Sequence, residues 1–289
     1  MDVGSLIARV KRVELKTRRL SDQIFSGSYH SAFKGQGMSF SEVREYSPGD
    51  EVRSIDWNVT ARTGIPHVKV FEEERELTVL LMVDISASAF TGSTGMMRKD
   101  LIVELCALLA LSAGSNNDKV GLLLFSSEVE LYIPPKKGRQ HILRLIREII
   151  QVNPVKKTTS IHSVLEFSAR VIKKKAICFL ISDFLDQGFD SALKIVSQKH
   201  DLIGLWCLDA IEKQFPDVGL IYIEDVETGK RRLVDTSSHA FKEANKSAAE
   251  TRRIKLNTLF QRSGADLVTI PLHESYINPL VQFFSKRRM

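Results

Sequence analysis

The strongest constraint on the fold is a run of seven mostly apolar residues at 77–83, which ends abruptly in an Asp-x-Ser-x-Ser sequence. The run is rich in Val and Leu and has no period-two alternation, so it predicts a strand buried on both faces of a sheet. Ligand sites of open α/β sheets lie at the carboxyl ends of strands. Asp84, Ser86 and Ser88 therefore stand where a site is expected. Their oxygens are hard ligands of the kind that Mg2+ binds, although a polar turn without a ligand is the alternative interpretation.

Strands and helices alternate along most of the chain that follows. Further strands are predicted at 119–125, 129–133, 176–181, 202–208 and 266–270, and helices at 98–114, 138–150, 161–173, 188–199, 239–262 and 275–284. The three-residue link after residue 125 is too short for a crossover, so it predicts an antiparallel hairpin. The alternation as a whole predicts an α/β fold with a doubly wound, mainly parallel sheet.

Two regions depart from this alternation. Residues 210–236 predict an inserted β-hairpin that turns at Thr228-Gly229. Residues 1–75 lack a long apolar element, and we expect them to form an N-terminal extension, a helix followed by an Arg- and Asp-rich region. This extension is expected to pack on a main domain at 76–289.

Composition and cysteine usage are those of an ordinary globular protein. The chain has 289 residues, of which 43% are hydrophobic and 26% charged. Its three cysteines, Cys106, Cys178 and Cys207, lie far apart in apolar runs and form no CxxC pair, which favours core packing in a reducing compartment. The sequence has no apolar stretch of about 18 residues and no signal-peptide core. We therefore expect a cytoplasmic protein, with peripheral association with the inner membrane as a further option.

Residues 5–20 predict an amphipathic helix with a strongly basic face. Leu6, Val10 and Val13 form its apolar stripe, and the net charge of the chain is +6. Binding to an anionic membrane or to nucleic acid is one interpretation. Packing on the protein itself, with the basic face in solvent, is the interpretation that we favour.

The region at 42–76 is rich in charges of both signs around Trp57. Arginines alternate with acids there, at Arg44, Glu45, Asp50, Arg53, Asp56 and Arg62. Such a pattern suits a network of charge-assisted hydrogen bonds within the fold or at an interface. A catalytic role for Asp50 or Asp56 is disfavoured because no histidine or second nucleophile lies nearby in sequence.

If the strands are parallel, a second acid and a loop hydroxyl lie at the same sheet edge as the first site. Asp183 ends the strand predicted at 176–181, and Thr159 lies in the loop before a helix. Parallel strands would bring both to the sheet edge that carries Asp84, Ser86 and Ser88. Two carboxylates and several hydroxyls leave coordination positions open, and Mg2+ is commonly completed by oxygens of another ligand. The sequence therefore predicts a half-built metal site that a partner's carboxylate completes.

At this point the chain resembles a known family. The set of Asp-x-Ser-x-Ser, Thr and Asp looks like the metal-ion-dependent adhesion site of von Willebrand factor A domains. The upstream stretch resembles the signature of bacterial A-domain-like proteins associated with MoxR-type AAA+ ATPases, long catalogued as a domain of unknown function; its residues are Arg44, Glu45, Tyr46, Pro48, Gly49, Asp50, Val52, Arg53, Ile55, Asp56 and Trp57. The resemblance runs from about residue 10 to the C-terminus and includes Ile181-Ser182-Asp183-Phe184 and Glu227-Thr228-Gly229.

The resemblance implies a role for each site residue. Ser86, Ser88 and Thr159 would bind Mg2+ or another divalent cation directly, and Asp84 and Asp183 would bind it directly or through water. Thr158 stands where A domains usually have Gly, so Thr158 or Ser160 is an alternative to Thr159 as ligand.

The resemblance also implies a von Willebrand factor A-like fold and a non-enzymatic protein-interaction adaptor. Its partner would be a MoxR-type AAA+ ATPase, in chaperone-like maturation or regulation. Other A-domain proteins or a client carboxylate could complete the metal site, and no nucleic acid is expected. The anionic-surface binder is the alternative, and a hydrolase that uses the same metal with Asp56 or Asp183 is a third interpretation.

Overall fold

The structure, a computed structural model, describes residues 8, 10–15, 17, 39–72, 76–93, 97–227 and 229–287. The chain divides into two compact units, one formed by Phe33–Leu77 and one by Met1–Ala32 with Thr78–Met289. The expected packing of residues 1–75 on the main domain stays a prediction.

The smaller unit contains an antiparallel strand pair and a short helix. Strand β1 (Ser39–Glu45) pairs with β2 (His67–Glu72), and helix α1 (Trp57–Thr63) lies between them in sequence. Asp56 caps α1 by accepting hydrogen bonds from the amides of Asn58 and Val59. Asp56, considered above as a catalytic acid, therefore acts as a helix cap here.

An ion pair closes the Pro48-Gly49 turn of this unit. Arg44 reaches Asp50 at 2.6 Å, and the Asp50 carboxylate also accepts from the Ser47 amide. The Arg44 hydrogen bond, followed by the Ser47 amide, lowers the pKa of Asp50. Part of the charge-assisted network expected from residues 42–76 is thus observed.

The larger unit is built on a six-stranded sheet that confirms the predicted fold class. Its strands are β3 (Thr78–Asp84), β4 (Lys119–Phe125), β5 (Val129–Lys136), β6 (Ile177–Ser182), β7 (Asp201–Leu208) and β10 (Asp266–Pro271). The spatial order is β10-β7-β6-β3-β4-β5, and every neighbouring pair is parallel except the β4–β5 hairpin. Counted along the chain, this is the doubly wound order 3-2-1-4-5-6, which reverses between β3 and β6.

Helices cover this sheet. They are α2 (Arg98–Ser115), α3 (Arg139–Gln151), α4 (Ile161–Val171), α5 (Asp190–Lys199), α6 (Ala210–Lys213), α7 (His239–Ser263) and α8 (Ile277–Arg287). One core cluster joins Leu80 and Met82 of β3 to apolar residues of α4, α5 and α7. The alternate β3 residues Val79, Leu81 and Val83 are equally buried. Burial on both faces explains the continuous apolar run from which the strand was predicted.

The predicted hairpin insertion is present. Strands β8 (Leu220–Glu224) and β9 (Arg231–Asp235) form a separate antiparallel pair after α6. The three cysteines are buried and free, as predicted. Among the described residues, no helix combines the length and the hydropathy needed to cross a membrane.

The described part of the N-terminal helix buries one side, formed by Val13, Glu14 and Thr17. Residues 10–15 are helical, Val13 and Thr17 are buried, and Arg139 donates to Glu14 at 2.7 Å. These contacts favour packing on the protein over binding to an anionic surface. The rest of the predicted helix at 5–20 lies outside the described residues.

Candidate metal centre at the sheet edge

The candidate site lies where the strand order reverses. Asp84 is the last residue of β3, and Ser182 is the last residue of the neighbouring parallel strand β6. The Ser182 hydroxyl donates to Asp84 Oδ2 at 2.6 Å, which links the two strand ends directly. Open α/β sheets bind ligands in the crevice at this reversal.

The turn after β3 brings the two predicted serines together. The Ser86 amide donates to Asp84 Oδ1 at 3.0 Å, and the hydroxyls of Ser86 and Ser88 lie 3.1 Å apart. All three residues are buried. The turn is fixed at its start because the Ile85 amide donates to the Phe125 carbonyl of β4.

Thr159 is held beside this turn by backbone contacts of its loop. The Ala87 amide donates to the Lys157 carbonyl at 3.0 Å, and the Ser160 amide donates to the Ser126 carbonyl at 2.9 Å. Thr159 is half-buried, and its hydroxyl donates to Glu227 Oε1 at 2.9 Å. Glu227 comes from the turn of the β8–β9 hairpin.

The two alternatives to Thr159 are placed differently. The Ser160 hydroxyl accepts from the Ser163 amide at 3.3 Å and caps helix α4. Thr158 is exposed. Of the three loop hydroxyls, that of Thr159 contacts the carboxylate of Glu227.

Asp183 is buried in an ion pair that the sequence did not indicate. Arg98 Nη1 lies 2.9 Å from Asp183 Oδ2, and the other Asp183 oxygen accepts from the Leu185 amide at 3.1 Å. The Arg98 guanidinium also donates to the Ser88 carbonyl at 2.6 Å and pairs with Glu212. Arg98 therefore fixes the backbone of the serine turn and the acid of the next strand together.

A second arginine extends this buried ion-pair network. Arg252 of α7 contacts Glu212 Oε2 at 2.7 Å, donates to the Asp183 carbonyl and lies over the Trp206 ring. The signal that could have pointed to Arg98 is the single arginine in the first turn of a mostly apolar helix. Glu212 offers a weaker signal, as the last residue of an Asp-x-x-Glu capping box.

The Asp84 carboxyl has a raised pKa. Burial raises the pKa of Asp84 to about 7, and the nearby Asp183 carboxylate adds to the rise, while hydrogen bonds from Ser182 and Ser86 oppose it. Among the described residues, the groups that donate to Asp84 are neutral. A buried negative charge without a cationic partner is costly, so this position favours a bound cation.

The hairpin acid adds negative charge to the same edge. Burial raises the pKa of Glu227, the Thr159 hydrogen bond lowers it, and the carboxylates of Asp183, Asp225 and Asp186 raise it further. The neighbouring acids repel Glu227, yet the chain holds it against Thr159. A divalent cation at this point would relieve the repulsion.

The donor set fits Mg2+ rather than a softer metal. Asp84, Ser86, Ser88 and Thr159 offer only oxygen ligands, which suit a hard cation such as Mg2+. Among the described residues, no group of three or more His, Cys, Asp or Glu side chains is placed to hold a metal ion. Asp183 is engaged by Arg98, which suits a water-mediated role better than direct ligation. The residues present therefore fit a hard cation with open coordination positions.

The fold and the candidate site define an α/β domain with acid and hydroxyl side chains at the switch point of its sheet. The model of the family described as "Protein of unknown function DUF58" matches residues 42–255. The chain belongs to the DUF58 family.

Among its relatives is "Uncharacterized protein Rv1480" of Mycobacterium tuberculosis, which is 28% identical over 291 residues, covering 100% of this chain and 92% of the relative. The solved structure of BatB from Bacteroides thetaiotaomicron, described as a conserved hypothetical protein, is 16% identical and has a TM-score of 0.49 over 73% of this chain and 98% of that one. The SpRpn10 VWA domain is 10% identical, with a TM-score of 0.37 over 72% of this chain and 95% of that one.

Proposed function

We propose that this protein is a non-enzymatic interaction adaptor with a metal-ion-dependent adhesion-type site at the switch point of its sheet. The site binds Mg2+ or another divalent cation and leaves a coordination position for a carboxylate of a partner. The partner is a MoxR-type AAA+ ATPase, or a client or another A-domain protein that works with it, in chaperone-like maturation or regulation.

The observation that carries the proposal is the burial of the Asp84 carboxyl among neutral donors. Its carboxylate is 2% exposed, and its hydrogen-bond donors are neutral groups. Ser86 and Ser88 present their hydroxyls to each other beside it. A cation bound between these oxygens would supply the missing positive charge. Because the hydroxyl ligands are neutral, the bound cation would keep a net positive charge that attracts an acidic partner.

Each residue has a separate task in this proposal. Ser86, Ser88 and Thr159 ligate the cation directly, and Asp84 ligates it directly or orients a ligating water. Asp183 acts through water because Arg98 occupies one of its oxygens. The bound cation supplies Lewis acidity toward a carboxylate, which here serves recognition.

The non-enzymatic part of the proposal is supported by the surroundings of the serines. A serine nucleophile needs an adjacent general base. In the described part of the chain, the hydroxyls of Ser86 and Ser88 are hydrogen-bonded to each other, Ser86 also interacts with Asp84, and neither hydroxyl is hydrogen-bonded to a histidine or lysine. The geometry therefore favours hydroxyls that serve as ligands.

The first experiment is a calorimetric Mg2+ titration of the purified protein. We expect saturable binding with one site, and loss of that binding in Asp84→Asn, which preserves the shape of the side chain. Asp190→Asn is the matched control, because Asp190 is an exposed acid in the first turn of α5. Equal binding by Asp84→Asn and the wild type would overturn the assignment of the site.

The second experiment measures binding to a purified MoxR-type AAA+ ATPase from the same organism by surface plasmon resonance. We expect binding in Mg2+ that is lost in EDTA and in Asp84→Asn, while Asp190→Asn binds like the wild type. Binding that is indifferent to both EDTA and Asp84→Asn would show that the ATPase uses another surface.

A further inference from the structure

The turn of the β8–β9 hairpin reaches back to the candidate metal centre. Glu227 Oε1 accepts a hydrogen bond from the Thr159 hydroxyl at 2.9 Å, across 68 residues of sequence. Thr159 is the loop hydroxyl assigned above to the cation. An acid of the chain's own insertion therefore contacts the loop hydroxyl that the metal centre uses.

The turn is built so that it presents Glu227. The Asp225 amide donates to the Lys230 carbonyl at 2.9 Å, and the Gly229 amide donates to the Asp225 carbonyl at 2.7 Å. The Asp225 side chain also accepts from the Glu227 amide at 2.9 Å. Gly229 has φ +69°, a left-handed conformation that favours glycine. These contacts fix the backbone on both sides of the acid.

The base of the hairpin is held independently of its turn. The Thr236 hydroxyl donates to the Gly219 carbonyl at 2.8 Å, and Lys242 of α7 pairs with Asp217 at 2.7 Å. Between the base and the turn, the side chains of Leu220 and Tyr222 are 68% and 73% exposed. The hairpin is thus anchored at one end and attached at the other through Glu227, with little burial between.

We propose that Glu227 is an internal, displaceable ligand of the metal centre. In the free protein its carboxylate takes the coordination position that an acidic side chain of a partner takes in the complex. A partner must therefore present an Asp or Glu that displaces Glu227, and the hairpin moves away from Thr159 when it does. The inference rests on the metal centre proposed above and adds what occupies its open position.

Mn2+ and acetate provide a direct test, since Mn2+ favours the same oxygen ligands as Mg2+ and is paramagnetic. The variants are Glu227→Gln and Glu227→Ala. The matched control is Glu224→Gln, which removes the same charge from the same hairpin at an acid that pairs with Arg231. Mn2+ affinity is measured by electron paramagnetic resonance, and acetate access by relaxation of its methyl protons per bound Mn2+.

We expect both Glu227 variants to bind Mn2+ more weakly, by about tenfold, because a charged ligand is lost. We expect acetate relaxation per bound Mn2+ to rise several-fold, because the open position becomes accessible. Glu224→Gln should match the wild type in both measurements. This combination would support the internal ligand.

Two other outcomes would overturn the inference and are distinguishable. If the wild type binds Mn2+ through Asp84 but both Glu227 variants match it in affinity and acetate access, Glu227 is no ligand and the metal centre stands. If neither the wild type nor any Glu227 variant binds Mn2+, the metal centre and the internal ligand fall together.

Discussion

Asp84 and Asp183 lie at one edge of the sheet, yet their charges are treated in opposite ways. Each is 2% exposed, and they follow neighbouring parallel strands. Asp183 pairs with the buried guanidinium of Arg98 at 2.9 Å. Asp84 receives hydrogen bonds from a hydroxyl and a backbone amide. The chain thus neutralises one carboxylate with its own side chain and surrounds the other with neutral donors.

This difference assigns Asp183 a structural role and Asp84 a functional one. A buried ion pair whose members are both satisfied holds the elements that carry it in one arrangement, and its loss is costly. A buried carboxylate with a raised pKa costs stability in the folded state, and such groups are concentrated at functional sites. The contrast predicts that substitutions at the two positions change stability in opposite directions.

The largest change in stability is expected when the buried ion pair of Arg98 and Asp183 is broken. Arg98→Met should destabilise the protein by about 3–5 kcal/mol, because Asp183 and Glu212 lose their shared buried partner. Urea unfolding followed by circular dichroism measures the change. The control is Arg253→Met, which removes an exposed arginine paired with Glu250 and should have little effect.

A double variant sharpens this prediction. Arg98→Met combined with Asp183→Asn removes the unpaired charge as well, so it should recover part of the lost stability. A double variant as unstable as the sum of the two single variants would mean that Arg98 acts through packing and its carbonyl contacts rather than through the ion pair.

The second effect concerns the cation. Mg2+ at about 100 times its dissociation constant should stabilise the wild type by roughly 2.7 kcal/mol, since a ligand that binds only the folded state adds its binding free energy. Thermal unfolding with and without EDTA measures it. Asp84→Asn should abolish the response, whereas Asp183→Asn should keep a smaller one. An unchanged response in Asp84→Asn would place the cation elsewhere.

The third prediction is that a substitution in the core stabilises the protein, whereas core substitutions usually destabilise it. In EDTA at pH 8, Asp84→Asn should be more stable than the wild type by roughly 1–3 kcal/mol, because the ~4 kcal/mol equivalent of the pKa shift is offset in part by the weaker hydrogen bonds of the amide. Burial raises the pKa of Asp84 from 3.8 to about 7. The ionised carboxylate therefore destabilises the folded state, and this penalty is absent below pH 3.8 and complete above pH 7. A destabilised Asp84→Asn would mean that the contacts of Asp84 with Ser86 and Ser182 outweigh the cost of its charge.

The sheet could be predicted from sequence because the burial of each strand shows in the pattern of its own residues. Strands β3 and β6 are buried on both faces, so each reads as a continuous apolar run that ends at a polar residue. Once those strands are parallel neighbours, Asp84 and Asp183 must reach the same edge. That part of the candidate site follows from patterning and from the direction of the strands.

The partners of these residues could not be predicted in the same way. Arg98 lies 85 residues before Asp183 in a helix that reads as apolar, and nothing in its local pattern selects that acid over another. Glu227 lies in a turn whose existence was predicted, but its contact with Thr159 depends on the packing of the hairpin base. Contacts between distant elements decide that Asp183 pairs with the Arg98 guanidinium, whereas the donors to Asp84 among the described residues are neutral.

The smallest effect distinguishes the loop hydroxyls of the metal centre. Thr159→Val keeps the shape of the side chain and removes its hydroxyl, so it should weaken Mg2+ binding with little change in the stability of helix α4. Ser160→Ala should do the reverse and cost about 1 kcal/mol of stability, because it removes the N-cap of α4. Parallel Mg2+ titrations and urea unfolding of the two variants separate ligand from cap. Weaker Mg2+ binding in Ser160→Ala but not in Thr159→Val would move the ligand to Ser160 and would leave the Thr159–Glu227 contact as a clasp of the hairpin alone.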